Sequence, residues 1–471
     1  MIPMTLAEIA EVVGGDVVGL GAAPGDDSDL VVRGSAFLDS RFPVPGGLFV
    51  AFDGENVDGH EYADAAVAGG AAAVLGSRPT GVPTVVVDDA QAALQQLAAH
   101  VLRRLRSADR SLKVVGLTGS QGKTGTKDLL AAVLTDDAAP AAVVATAGSF
   151  NNELGLPLTV LRADEETRFL VLEMGARGIG HIAELCAIAP PDIALVLNVG
   201  TAHLGEFGSR EAIARAKGEL VEALGPAGVA VLNLDDPLVA AMAPRTRAPV
   251  RTFGTGVGAD VRLYDVTSDD LGRVRFDLQY SKSREHVRLQ LLGEHQAMNA
   301  AAAAAVALLL GVTLDRIARR LEAVTALSRW RMEVHERADG LVVINDAYNA
   351  NPESMTAALR TLAGIGERTG RRTVAVLGEM RELGAASEDE HARIGRMVIE
   401  LGVGQLVVVG EGARPMADAV PGALFAGSVD EADALMRENV GGTDVVLVKA
   451  SRAARLERVA EALLGEEASE A

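Results

Sequence analysis

Seven consecutive residues, Thr118, Gly119, Ser120, Gln121, Gly122, Lys123 and Thr124, lie between an apolar run and a helical pattern. A glycine-rich turn from strand to helix points backbone N–H groups at an anion. Lys123 adds a mobile cation, and the Thr124 hydroxyl is of the type that ligates magnesium beside a triphosphate. The strict pattern of such a loop asks for glycine at position 117, where this chain has Leu117. The Gly-Lys-Thr core and its strand–turn–helix setting remain. The plainer reading is a glycine-rich turn with a chance lysine, and the loop alone does not say whether a phosphate is transferred, hydrolysed or sensed.

Other residues of chemical type follow apolar runs. Glu173 ends "FLVLE", where a carboxylate can take a second protein position on a phosphate-bound magnesium; alone, it reads more readily as an ordinary strand-end acid. "NVGTAHLGEFGS" offers Asn198 and His203, although magnesium prefers oxygen to imidazole. Lys217 lies in "AIARAKGELVEAL", as a solvated surface lysine or as one carrying CO2 as a carbamate, which replaces a cation by a carboxylate-like ligand. The carbamate needs a depressed lysine pKa, set by surroundings. Asn151 and Asn152 in "NNELGLP" line a channel or cap a helix. His295 and Asn299 lie about one turn apart at a helix start. Asp346, Tyr348 and Asn349 fall in a loop after a strand, where an acid can accept ribose hydroxyls.

These residues need elements to position them. Continuous apolar strands alternating with helical patterns from 114 to about 327 predict a parallel sheet covered on both faces. Residues 251–292 alternate instead and predict antiparallel strands, a β insert within that unit. From about 328 the strand–loop–helix pattern restarts, each strand ending in a polar loop, and ligands of open α/β sheets bind beyond such ends. Residues 1–88 mix short strands such as 48–52 and 84–89 with alanine-rich helices, and 90–106 has helical spacing.

Bulk properties narrow the classes. The 471 residues allow two to four domains. Only 3% are aromatic among 49% hydrophobic, so the cores must be built of Ala, Val and Leu. A formal charge of −20 argues against a nucleic-acid partner, which needs a basic face. Cys186 is the single cysteine, so no internal disulfide forms, as suits a reducing compartment. The N-terminus lacks a basic secretory n-region, and the most apolar stretch, 300–312, falls short of the roughly 20 residues that span a bilayer. A cytoplasmic protein without membrane insertion is expected.

Taken in order, "GLTGSQGKT", "NNELGLP", "EMG", "NVGTAHLGEFGS", "AKGEL", "GEHQAMNAAAA", "RMEV", "INDAYNANPESM", "GEMRELG" and "VKASRA" resemble the ATP-dependent Mur ligases of peptidoglycan precursor synthesis over residues 116–454. "SRFPVPGGLFVAFDGENVDGHEYADAA" is similar to that family's UDP-sugar module. "DAYNANP" and "GEMRELG" look most like the member adding D-alanyl-D-alanine to UDP-N-acetylmuramoyl-tripeptide. The resemblance implies an α/β protein of three domains: an α/β UDP-binding module (1–88), a central P-loop parallel sheet with helices on both faces (89–327) and a Rossmann-like C-terminal domain (328–471). It implies ATP and two magnesium ions; the linkers near 88 and 328 are the candidate hinges.

Carried over by position, residues 118–124 hold the triphosphate. Thr124 and Glu173 hold one ion; His203 and carbamylated Lys217 hold the other. Lys123, His203 and Lys217 are the expected catalytic groups. Asn299, Arg331 and Asp346 are expected at adenine, phosphate and ribose, Arg329 competing with Arg331. Ser40 and Arg41 fall in the UDP segment, and Asn151, Asn152, Tyr348 and Asn349 on the substrate side. Gly125, Gln296 and Ala450 depart from the family pattern without removing a group that the chemistry requires. A monomer is expected. A sister Mur ligase, a folylpolyglutamate-type ligase and a non-catalytic nucleotide-binding scaffold remain the alternatives.

Overall fold

The structure is a computed structural model that describes residues 1–19, 27–54, 57–108, 111–136, 138–148, 150–200, 207–325 and 328–465. Three larger sheets follow one another along the chain. The first has five strands in the order Asp16–Val18, Thr84–Val86, Ala73–Gly76, Leu48–Val50, Ala36–Phe37, parallel except for the first pair. Met4–Thr5 and Val31–Val32 form a separate antiparallel pair.

The central sheet has nine strands. From one edge they run Val143–Ala145, Phe169–Glu173, Lys113–Thr118, Ile193–Val196, Val229–Asn233 and Val250–Gly254, all parallel. The predicted antiparallel strands exist as Val261–Ser268, Arg273–Tyr280 and Ser283–Leu292. They extend the same sheet, because Phe253 and Gly254 pair in parallel with Val261 and Arg262. Helices cover it on both sides. The helix His295–Leu309 is almost all alanine in its middle, and those small side chains let it press against the helix Lys123–Leu134 in one buried core.

The third sheet has six strands in the order Glu333–Glu336, Val342–Asp346, Val445–Lys449, Thr373–Gly378, Gln405–Val409, Leu424–Ala426, all parallel but for the first pair. Separate apolar clusters cover its two faces. The helix Pro352–Thr369 after its first loop has clear start and stop signals: Asn351 caps it, proline opens it, and Gly370 closes it at φ +69°.

The helix Ala90–Ala108 packs on the helices Leu6–Val13, Gly155–Val160 and His181–Ile188. Its buried face, with Leu94, Leu97, Val101 and Leu105, belongs to one cluster running from Met1 to Met242. The first and central sheets therefore share a core across the boundary expected near residue 88.

Candidate active site

In the central sheet Lys113–Thr118 lies between Phe169–Glu173 and Ile193–Val196. The chain crosses from one side of it to the other, and that switch opens a crevice at the carboxyl ends of the strands. The loop 119–122 sits there. Gly122 has φ +80°, and a Cβ on it would come 2.6 Å from Asn299 Oδ1, so only glycine fits. Asn198 grips the loop from the neighbouring strand end: its Oδ1 accepts the Gln121 N–H at 3.0 Å, and its Nδ2 donates to the Gln121 carbonyl at 3.1 Å. Ser120 Oγ accepts the Gly200 N–H at 2.9 Å. Thr118 and Gly119 form the base of the loop. The buried Thr118 hydroxyl donates to the Met174 carbonyl at 2.8 Å, and Lys123 Nζ donates to the Gly119 carbonyl at 2.8 Å.

Thr124 and Glu173 are both buried. The Thr124 hydroxyl donates to Glu173 Oε2 at 3.0 Å, and Asn151 Nδ2 donates to Oε1 at 2.7 Å. The Glu173 backbone N–H donates to Thr146 Oγ1 at 3.0 Å. Lys217 is 5% exposed, not the solvated surface lysine its helix suggested. Burial, and then the Lys123 charge, hold its pKa well below the usual lysine value. Desolvation also lowers Lys123, with Arg331 adding to the shift and Glu173 opposing it. Two lysines and a carboxylate thus share one poorly hydrated space.

The third sheet supplies the opposite wall. Asp346 Oδ2 accepts Lys449 Nζ at 2.6 Å, Lys449 also donates to the Asn349 carbonyl at 2.8 Å, and Asp346 Oδ1 accepts the Met332 N–H at 3.2 Å. The Arg331 guanidinium lies over the Tyr348 ring, 4.4 Å from its centroid, and its buried Nε makes no hydrogen bond. Asn299 Nδ2 donates to Gln296 Oε1 at 2.9 Å.

A cleft of about 660 Å³ joins these groups. Ser120, Gln121, Gly122, Lys123 and Thr124 line it together with Asn151, Asn152, Glu173, Lys217, Asn299, Arg331, Asp346 and Asn349. Of the two arginines in "SRWRM", Arg331 faces the cleft and Arg329 is exposed. Thr118 and Gly119 lie behind its wall, and Tyr348 reaches it through Arg331. Ser40 and Arg41 lie away from it; Arg41 is exposed and pairs with Asp39 at 2.6 Å. His203 lies outside the described residues. The sequence did not single out Arg177, His181, Glu184 and Lys449, which also line the cleft. Only Lys449 carried a signal, as the cation in "VKASRA".

Among the described residues no group of three or more His, Cys, Asp and Glu could hold a metal alone. That suits magnesium at a triphosphate, which takes one or two protein oxygens and completes its shell with phosphate and water.

Family models match the chain in three places: "Mur ligase family, catalytic domain" at 37–108, "Mur ligase middle domain" at 117–307 and "Mur ligase, glutamate ligase domain" at 330–452. The UDP-N-acetylmuramoyl-tripeptide–D-alanyl-D-alanine ligase of Mycobacterium tuberculosis is 47% identical, covering 99% of both chains. That of Escherichia coli is 36% identical over 98% of this chain and 99% of its own. Among solved structures, MurF from Acinetobacter baumannii superposes with a TM-score of 0.82 at 32% identity, covering 97% and 98% of the two chains. MurF ligase from Thermotoga maritima in complex with ADP gives 0.76 at 33%, covering 91% and 96%.

Proposed function

This chain belongs to the Mur ligase family, and from that premise we propose that it joins D-alanyl-D-alanine to UDP-N-acetylmuramoyl-tripeptide with ATP in peptidoglycan precursor synthesis. The observation that carries the reading is the convergence of Lys123, the Thr124–Glu173 pair and Lys217 on one loop, facing Arg331 and Asp346 across a single cleft.

Amide formation from a carboxylate and an amine in water is uphill, and the carboxylate is a poor electrophile. The terminal carboxylate of the tripeptide attacks the γ-phosphorus, the bond to the bridging oxygen breaks, and ADP leaves. The dipeptide amine, having lost its proton, then bonds to the acyl carbon, and phosphate departs with the C–O electron pair. The carboxylate and the triphosphate, both negatively charged, must approach during the first step, so positioning and charge stabilisation dominate. The loop N–H groups and Lys123 bind the β- and γ-phosphates. Arg331 offers its unsatisfied Nε to a phosphate oxygen, and Asp346 and Asn299 receive the nucleoside.

Thr124 and Glu173 supply oxygen donors for one magnesium ion. Lys217 fits the second: with its pKa lowered, the neutral amine bonds to the carbon of CO2 and releases a proton, leaving a carbamate oxygen ligand. Magnesium bound there offsets the repulsion between triphosphate and carboxylate. His203 is the other proposed donor to that ion.

A second cavity of about 240 Å³ opens off the cleft and shares Asn349, Asn351 and Glu382 with it. Arg381 and Arg452 also line it, which suits the carboxylate of the incoming dipeptide. The UDP end is assigned to the first sheet's module with Ser40 and Arg41, and the chain is taken to act as a monomer. The reaction belongs in the cytoplasm, where ATP is supplied; among the described residues no helix is long and apolar enough to cross a membrane.

The test supplies ATP, magnesium, UDP-N-acetylmuramoyl-tripeptide and D-alanyl-D-alanine together. The pentapeptide product should appear by mass with one phosphate per bond formed. ATP turnover indifferent to the dipeptide would refute the reading.

A further inference from the structure

The helix that starts in the nucleotide loop also holds the start of the C-terminal unit. Asp128 lies on Lys123–Leu134, one turn beyond Thr124. Its Oδ2 accepts two hydrogen bonds from Ser328, from the backbone N–H and from the hydroxyl, each 2.8 Å. Its Oδ1 meets Lys127 Nζ at 2.5 Å. Lys127 is buried and donates to the Thr146 carbonyl at 2.7 Å, and Thr146 Oγ1 accepts the Glu173 N–H. A connected chain of polar contacts thus runs from Ser328 to the strand end that carries Glu173.

Beyond Ser328 the segment is strained. Trp330 and Met332 have φ of +58° and +52°, left-handed values that non-glycine residues rarely adopt. Such a backbone persists only where its surroundings over-determine it. Here the anchors are visible: Asp128 holds Ser328 at one end, and Asp346 holds the Met332 N–H at the other. Arg331 lies between the two strained residues and lines the cleft.

We propose that Asp128 is a positioning residue for ATP use: by fixing Ser328 it sets the strained segment that presents Arg331 to the nucleotide. The proposal rests on the reading of the cleft as an ATP site, and it concerns a residue that does not itself line the cleft.

The test combines kinetics with proteolysis on the full chain. Asp128→Ala should raise KM for ATP about tenfold, the scale of losing hydrogen bonds to a charged acceptor, while KM for the sugar-peptide stays within about twofold. In an Arg331→Ala background the same change should add nothing, since Asp128 acts through that side chain. Asp128→Asn keeps an acceptor oxygen and should recover most of the loss. Trypsin should cut after Arg329 faster in Asp128→Ala than in the wild type. An unchanged KM for ATP, losses that multiply in the double variant, or an unaltered tryptic rate after Arg329 would overturn the proposal. A wild-type chain that makes no pentapeptide would instead defeat the functional reading, and the tryptic comparison would still decide whether Asp128 holds the segment.

Discussion

Burial first, and then the charge of Lys123, lower the pKa of Lys217, and the proposed carbamate draws on the neutral amine this leaves. Lys217→Ala should lower turnover by roughly a hundredfold or more, while nucleotide affinity, measured by titration, stays within about threefold. Equal losses in both would remove the assigned role. The same lowered pKa has a stability signature. Between it and the usual lysine value, the unfolded chain holds a proton that the folded chain lacks, so stability rises with pH across that window. In CO2-free buffer Lys217→Met should therefore melt higher than wild type at pH 7, with the gap closing toward pH 10. A constant gap would contradict this origin of the shift. Gly122→Ala should weaken ATP binding sharply, because the new Cβ meets Asn299 and the backbone resists φ +80°; unchanged titration curves would refute that. Lys123 and Thr124 were legible in sequence because motif spacing is local. The burial of Lys217, and the Lys449–Asp346 pair joining residues 103 apart, arise only from tertiary packing.

The nucleotide loop depends on elements it does not belong to. Asn198, at the end of Ile193–Val196, makes two hydrogen bonds to Gln121 that fix the loop's tip. Asn198→Ala should cost about 1–3 kcal/mol in unfolding free energy and raise KM for ATP; chemical denaturation and initial rates check the two effects separately. Strands were readable as apolar runs, but their ends were not. The run 84–89 pairs only over Thr84–Val86, since pairing stops where the neighbouring strand ends, not where hydrophobicity does. The antiparallel strands within 251–292 were visible as alternation. Their place in the central sheet hangs on two paired positions, too short a register to leave a sequence pattern.

At the scale of the whole chain, the described residues form five apolar clusters over the three larger sheets. One apolar cluster ties the first sheet to the central one through Ala90–Ala108, while the C-terminal sheet has its own packing on each face. Calorimetry should resolve two cooperative units. Leu97→Ala, deep in the shared core, should cost about 2–5 kcal/mol and lower the melting of only the larger unit; a shift in both would argue for a single unit. Three α/β units were legible from the restart of strand–loop–helix patterns. The common core was not, because the 90–108 helix shows only that it has an apolar face, and not that several partners compete for it. That core makes the molecule a caliper. On the proposed placement of the sugar nucleotide in the first module, the span from it to the phosphate loop would be set by packed side chains. A peptide stem one residue too short would then leave its carboxylate stranded before the ATP, and substrate length would be measured before any chemistry begins.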